Sequence, residues 1–405
     1  MPRKTRRGVR RLAAVLALAV LAAGWCGLRA ALPDTFTLAP GEKLRIAALP
    51  FVQAGPAAQG AAAAVGAAEA DASANRTLRL FGVVPVKTVR TVEQARRTVS
   101  VQGTPFGVKM FADGALVVAF SDQYTALGTE NPAKEAGLRL GDLIVSAGGQ
   151  PVRNNEELAA AIAAAGGAAI EIVYTRDGET CTTTLAPVAD RDTGTWRAGV
   201  WVRDSSAGIG TLTFTDPEAG SFAGLGHAVS DADTGTAFTL LSGEIVAVAV
   251  TGVQKGAAGA PGALRGEFAG DTLGTIAAND ATGVYGRWQG AHSGTAMPIA
   301  YPQEVAPGPA EILATVDGGA PRRYAVEIER VNLTAADPNR NLLIRVVDDA
   351  LLQTTGGIVQ GMSGSPVLQD GRLVGALTHV LVNDPVCGYG IFADTMLTRA
   401  DAAVR

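Results

Sequence analysis

The second half of the chain is built from short apolar runs, and this pattern restricts the fold more than any other feature. From about residue 189 to residue 405 these runs are separated by Gly, Asp and Thr; examples are residues 209–214, 244–250, 310–316, 324–328 and 342–347. Many short strands with turn residues between them and few helices are typical of sandwiches and barrels. The sequence therefore predicts a mainly β fold here.

One turn within this β-rich half carries a candidate nucleophile, Ser363. It lies in the pentad Gly361-Met362-Ser363-Gly364-Ser365, which Pro366 follows. Small neighbours let a substrate carbonyl approach, and free backbone N–H groups of Gly361, Met362 and Gly364 can form an oxyanion hole. The same letters also fit a plain surface turn, so a catalytic role needs a base.

The chain contains three histidines that can serve as that base: His227, His292 and His379. A neutral imidazole is the usual proton acceptor because its pKa lies near neutral pH. His227 follows an apolar segment and a glycine, His379 follows an apolar strand, and His292 lies in a Gly-rich loop. The residues alone favour His227 over His379 by a small margin, and each could be a structural histidine.

Three segments resemble the stage IV sporulation protein B family of serine peptidases. They are residues 356–396, the Gly-Leu-Gly-His run at 224–227, and Val347-Asp348. The resemblance implies His227 as base, Asp348 as its acidic partner and Ser363 as nucleophile. Asp348 is the weakest of these assignments, with Asp231, Asp233 and Asp349 as alternatives.

The order His, Asp, Ser is that of trypsin-like enzymes and indicates a trypsin-like β-barrel-type peptidase domain over residues 189–405. Two features depart from trypsin: Asp348 lies only 15 residues before Ser363, and Met362 stands where trypsin has an Asp. The family implies a membrane-anchored, extracytoplasmic serine endopeptidase that cleaves itself and a membrane-associated inhibitor of an intramembrane protease, and so triggers sigma-factor activation. The competing interpretation is a non-catalytic PDZ scaffold on a decayed peptidase fold.

Residues 101–188 resemble a PDZ domain, an α+β module. Residues 131–144 read as a short helix, a glycine and a Gly-Asp step into an apolar strand, as in PDZ modules of bacterial proteases. Leu158 and Ile162 share one face of a helix at 154–165. A PDZ groove binds an extended peptide along a strand edge, and the predicted peptide-binding residues are Phe106, Gly107 and Val108 with Leu158 and Ile162. The alternative is a PDZ domain that only packs on the catalytic unit.

The N-terminus predicts a membrane anchor. A basic segment, residues 1–11, precedes 17 uncharged residues from Leu12 to Leu28, and the basic cluster would keep it in the cytoplasm. We expect a transmembrane signal-anchor over residues 12–32 that contacts the membrane. In the family the bulk of the chain lies between the forespore and mother-cell membranes.

Residues 33–100 are predicted to be a tether with short strands and an Ala/Gly-rich stretch at 54–75, open to proteases. Self-processing is expected between Leu32 and Val101, with residues 190–195 as the alternative. No cofactor, metal or nucleic acid is expected, because the net charge is −4 and no Cys/His spacing indicates a metal site. Cys181 and Cys387 are expected to be free thiols.

Overall fold

The computed structural model of the protein describes residues 3–57, 73–231, 233–235 and 238–405. Helix α1 (Arg3–Ala30) has basic residues in its first turns and Arg29 in its last turn. Within the described ranges, no helix combines the length and the apolar character that a membrane crossing requires. The predicted signal-anchor over residues 12–32, and with it the single-pass location with an extracytoplasmic bulk, is therefore wrong.

A small sheet follows this helix. The region predicted to be a tether, residues 33–100, therefore contains a sheet with its own apolar core. Its four strands lie in the order β1-β4-β3-β2, and its buried apolar residues include Leu32, Phe36, Leu78 and Val89. Residues 58–72, most of the Ala/Gly-rich stretch, lie outside the described residues. The strands are β1 (Thr35–Leu38), β2 (Val52–Ala57), β3 (Ser73–Leu80) and β4 (Val84–Glu93).

The PDZ region is an α+β unit, as expected. Its longer helix is N-capped by Asn154, whose side chain accepts from the backbone N–H of Glu157, and C-capped by Gly166 in the left-handed conformation. Both are common helix boundaries. In chain order, the elements between residues 98 and 197 are β5 (Thr98–Val101), β6 (Pro105–Phe120), β7 (Gln123–Thr125), β8 (Gly128–Glu130), α2 (Pro132–Glu135), β9 (Leu143–Ala147), β10 (Gln150–Pro151), α3 (Asn155–Ala165), β11 (Ile170–Arg176), β12 (Glu179–Leu185), β13 (Val188–Ala189) and β14 (Trp196–Arg197).

A first barrel closes from strands on both sides of the PDZ region. Strands β6, β17, β18, β19, β16 and β15 pair in this order, and β15 pairs back onto β6. The PDZ unit is thus inserted between two strands of this barrel, β6 and β15. The predicted PDZ domain, residues 101–188, includes β6, which is also a strand of the barrel. The strands that follow the PDZ unit are β15 (Val200–Asp216), β16 (Ser221–Gly224), β17 (Ser242–Gln254), β18 (Ala263–Asp280), β19 (Gly283–Trp288) and β20 (Thr295–Pro298).

A second barrel completes the mainly β architecture. Its six strands close in the order β21-β22-β23-β26-β25-β24, around a core that includes Ile312, Ile344 and Val367. The mainly β expectation is confirmed, and the trypsin-like assignment stays a prediction. The elements are β21 (Gly308–Ala314), β22 (Arg322–Val331), β23 (Leu342–Val346), α4 (Asp349–Thr355), β24 (Pro366–Gln369), β25 (Arg372–Leu381), β26 (Asp384–Phe392) and α5 (Ala393–Val404), with 3₁₀ helices at Pro302–Glu304 and Pro338–Arg340.

Candidate active site

Ser363 lies where the two barrels meet. It is in the turn between α4 and β24, and its backbone carbonyl accepts from the N–H of Thr211 on β15 of the first barrel (2.8 Å). The next residue, Gly364, has φ +93°, and a Cβ there would lie 2.0 Å from the carbonyl oxygen of Thr211. Only glycine permits this approach, so the Gly after the serine holds the nucleophile turn against the first barrel.

The hydroxyl of Ser363 is bound to backbone. It donates to the carbonyl oxygen of Thr378 on β25 (2.7 Å). Because a hydroxyl has a single proton to donate, Ser363 does not donate to an imidazole in this arrangement. Thr378 in turn donates through its Oγ1 to the carbonyl of Asn339 (2.8 Å). This bond helps to fix Thr378, whose own carbonyl oxygen accepts from Ser363.

Two of the three expected oxyanion donors are already engaged. The N–H of Gly364 donates to Leu377 O (2.7 Å), and that of Met362 donates to Val359 O (3.1 Å). Gly361 contributes its carbonyl, which accepts from Thr211 Oγ1 (2.7 Å). The N–H groups of Met362 and Gly364 would have to exchange these partners before they could bind an oxyanion.

His227 follows β16 through two residues with positive φ, Leu225 and Gly226. Its Nδ1 lies 2.8 Å from the carbonyl oxygen of Ala228. A carbonyl only accepts, so Nδ1 carries the hydrogen and Nε2 is left as the proton acceptor. Burial lowers the pKa of His227 to about 4, the bond to Ala228 opposes this shift, and His379 adds to it.

His379 packs against His227, with ring centroids 4.7 Å apart and ring planes inclined by 34°. It directly follows Thr378, the residue whose carbonyl holds Ser363. Burial lowers the pKa of His379; Asp337 opposes this shift, and Arg340 adds to it. The two histidines therefore lie together, and His379 is next in sequence to the residue that binds Ser363; the sequence had left the choice between these histidines open.

Asp348 lies elsewhere. Its carboxylate accepts from Leu351 N (3.0 Å) at the start of α4 and from Ala325 N (3.2 Å) on β22. Strand β23 lies in sequence between Asp348 and the 3₁₀ helix whose Asn339 accepts from Thr378. At the usual rise per residue, the strand and its flanking residues place Asp348 roughly 20 Å from that helix. The structure does not bring Asp348 to His227, and its role as acidic partner stays a prediction.

The other candidates also have structural partners. Asp231 and Asp233 are both bound by the guanidinium of Arg203. His292 contacts Thr215 Oγ1 (2.9 Å) and lies near Trp288. Asp349 lies in the first turn of α4, where Asp348 is the capping residue. Among the described residues, no group of three or more His, Cys, Asp or Glu side chains could hold a metal ion.

The predicted peptide groove of the PDZ unit is not assembled as expected. Phe106, Gly107 and Val108 lie in the part of β6 that pairs with β15 on one edge and β17 on the other. A strand paired on both edges has no free backbone groups for an added peptide. Leu158 and Ile162 pack with Ala115 and Val117 in a different core, because α3 covers the second half of β6.

Residues 194–397, half of the chain, match the family described as SpoIVB peptidase S55. The chain belongs to this family. It is accordingly a serine peptidase, a hydrolase that acts on peptide bonds.

A second match identifies residues 123–176 as a PDZ domain. A solved PDZ domain, that of the SdrC-like protein from Listeria monocytogenes, is 22% identical over 22% of this chain and 87% of that chain, with a TM-score of 0.18. No curated protein matches the chain.

Two contributors to the site were missed by sequence reasoning. Thr378 acts through its carbonyl, which every residue type possesses, so no letter could reveal it. Arg203 lies far from the motifs in sequence and reaches the segment after His227 only because β15 passes beside it.

Proposed function

We propose that this SpoIVB-type peptidase cleaves peptide bonds with Ser363 as nucleophile and His227 as general base. The observation that carries the proposal is the arrangement at the barrel junction: the Ser363 hydroxyl bonds to Thr378 O, His379 follows Thr378 on the same strand, and the His379 ring packs on that of His227. His227 suits the role because its Nε2 is unprotonated and its tautomer is fixed by Ala228.

The reaction requires one local change and then follows acyl transfer. The Ser363 hydroxyl must exchange Thr378 O for His227 Nε2 as its hydrogen-bond acceptor. Oγ then bonds to the scissile carbonyl carbon while its proton passes to His227, and the imidazolium returns that proton to the leaving amine as the C–N bond breaks. Water, deprotonated by the same imidazole, hydrolyses the ester and restores Ser363.

The substrates that the family implies belong to this proposal. They are the chain itself and a membrane-associated protein inhibitor of an intramembrane protease, whose cleavage leads to sigma-factor activation in sporulation signalling. Support for a protein substrate comes from the peptidase fold and from the PDZ domain, a module that binds peptides.

Self-cleavage of purified protein tests the assignment. We expect Ser363→Ala and His227→Ala each to abolish fragment formation with melting temperatures close to wild type, since the loss of one member of a catalytic unit removes most of its effect. Ser365→Ala is the matched control, because its hydroxyl is fully buried without a partner, and its removal leaves no acceptor stranded. Loss of activity in His379→Ala together with normal activity in His227→Ala would move the base to His379.

The alternative of a non-catalytic scaffold is favoured by one observation: the Ser363 proton is held by Thr378 rather than by an imidazole. Labelling with a fluorophosphonate, which reacts with activated serines, separates the two functions. A peptidase becomes labelled at Ser363, and a scaffold stays unlabelled at every pH.

A further inference from the structure

The segment at residues 200–204 of β15 lies along the PDZ unit. Trp201 pairs with Ala119 and Arg203 pairs with Leu116, on the half of β6 that carries the PDZ core. Val200 and Val202 pack against that core, together with Leu158 and Ile162. The chain itself therefore occupies an edge of the PDZ sheet, in the manner of an added peptide strand.

Two consecutive side chains of this segment point to different partners. Asp204 Oδ2 accepts from the backbone N–H of Asn155 (2.9 Å), at the start of the PDZ helix α3. Arg203 donates through one nitrogen to Asp231 and through another to Asp233 Oδ2 (2.8 Å). The strand thus ties the PDZ helix to the segment that follows His227.

Asp231 organises that segment. It lies four residues after His227 and is 2% exposed. Its Oδ1 accepts from Asp233 N (3.1 Å), Thr234 N (2.9 Å) and Thr234 Oγ1 (3.1 Å), while Oδ2 takes Arg203. Burial by itself would raise the pKa of Asp231, but the bonds from Thr234 and Arg203 outweigh it and hold the pKa below its ordinary value. Removal of the cation would leave a buried charge uncompensated, which is costly.

We propose that Arg203 is a positioning residue for the peptidase reaction: it fixes the segment after His227, and the PDZ unit fixes Arg203 by holding residues 200–204 along its sheet. The catalytic consequence rests on the proposed role of His227. An extended peptide that displaced residues 200–204 would also withdraw Arg203 from Asp231, so the PDZ edge and the active site are mechanically linked.

Arg203→Ala tests the positioning role with two readouts on the full-length protein. We expect the rate of Ser363 labelling by a fluorophosphonate to fall at least tenfold, and kcat for a peptide substrate to fall with little change in KM. Backbone amides of residues 226–231 should exchange with deuterium faster, while those of α3 and the second barrel stay as in wild type. Arg203→Lys, which keeps the charge without the two-pronged geometry, should recover part of the labelling rate.

Arg265→Ala is the matched control, because this exposed arginine lies on β18 of the same barrel and bonds to the neutral Gln254 (3.2 Å). It should behave as wild type. The proposal is overturned if Arg203→Ala leaves labelling and exchange unchanged, or if it accelerates exchange equally throughout the chain, which would indicate general unfolding.

A disulfide tests whether the segment stays on the PDZ edge in solution. Ala119→Cys with Trp201→Cys, in a background with Cys26, Cys181 and Cys387 replaced by serine, should cross-link on mild oxidation, since these two residues are paired neighbours. Ala119→Cys with Ser206→Cys, which are not paired, should not. Failure of the first pair to cross-link would overturn the link between the PDZ unit and Arg203.

The two proposals can fail separately. If wild-type protein is not labelled at Ser363 and shows no cleavage, the proposed catalytic function fails. The exchange and cross-linking experiments need no activity, so they still decide whether Arg203 fixes the segment after His227.

Discussion

At the scale of single residues, the proposed mechanism depends on an imidazole that stays neutral. Burial and the neighbouring His379 depress the pKa of His227 to about 4, far below the ordinary value near 6.5. The same burial makes His227 a weak base in the resting protein, which agrees with a serine whose proton is held elsewhere.

The pH profile of kcat/KM follows from this value. A general base works only when unprotonated, so activity is lost as pH falls through its pKa. We expect kcat/KM to stay flat from pH 7.5 down to about pH 5.5 and to decline only below about pH 5. An acid limb centred near pH 6.5 would contradict the assignment of the half-buried His227 and point to a solvated histidine.

A second residue-scale prediction concerns Asp394, near the start of α5. Burial, with a contribution from Glu304, raises its pKa to about 6. Its carboxyl therefore binds a proton more tightly in the folded than in the unfolded chain, and the stability it contributes is lost as pH rises through about 4 to 6. Asp394→Asn should raise the free energy of unfolding by about 2 kcal/mol at pH 7.5 and by much less at pH 4.5. Urea titrations at the two pH values measure it; an equal effect at both would show that charge is not the cause.

At the scale of elements, helix α4 is where the family resemblance and the contacts differ. Asp348 is its N-cap and also holds the N–H of Ala325. These bonds occupy both carboxylate oxygens, Oδ1 with Leu351 N and Oδ2 with Ala325 N.

Replacement of Asp348 separates capping from charge. Asparagine is also a good N-cap and can keep the bond from Leu351 N, but its NH2 group cannot accept from Ala325 N, so Asp348→Asn should cost less stability than Asp348→Ala, which should cost about 1 kcal/mol. From the contacts we expect kcat of Asp348→Asn to stay within about tenfold of wild type, whereas a lost orienting charge costs about 10⁴. A loss of that larger size in a variant that stays folded would establish Asp348 as the acidic partner that the family implies.

At the scale of the whole molecule, the N-terminal sheet changes what self-processing can release. Strands β1 and β2 precede residues 58–72, β3 and β4 follow them, and the pairs β1–β4 and β2–β3 cross this stretch. The alternative cleavage region, residues 190–195, is a compact turn in which Asp190 accepts from Thr193 N (2.8 Å) and Thr193 Oγ1 (2.7 Å). The composition of residues 54–75 still predicts cleavage before the PDZ unit.

We therefore expect the two fragments to stay together after a cut at residues 58–72. Denaturing gels should show two bands, while size-exclusion chromatography in native buffer should show one species, because the sheet and its core bridge the cut. Separation of the two fragments in native buffer would mean that this sheet is too weak to keep them together. A fragment that begins after Val188 would instead place the cut between the PDZ unit and most of the peptidase.

The sequence by itself determined much of this protein. Short apolar runs predicted the β-rich second half, the Gly-Met-Ser-Gly-Ser turn and its surroundings identified the family, and residues 131–144 identified the PDZ domain. These are local signals, because periodicity, glycine placement and motif spacing are properties of neighbouring residues.

Tertiary structure alone decided how these parts meet. Strand β6 serves the PDZ core and the first barrel together, the Thr378 carbonyl holds Ser363, and Arg203 reaches Asp231. The predicted membrane anchor was wrong, since the helices of the described residues include none that is long and apolar enough to cross a membrane. Strand pairing and ion pairs between distant segments depend on which surfaces come together on folding, and no spacing along the chain encodes that.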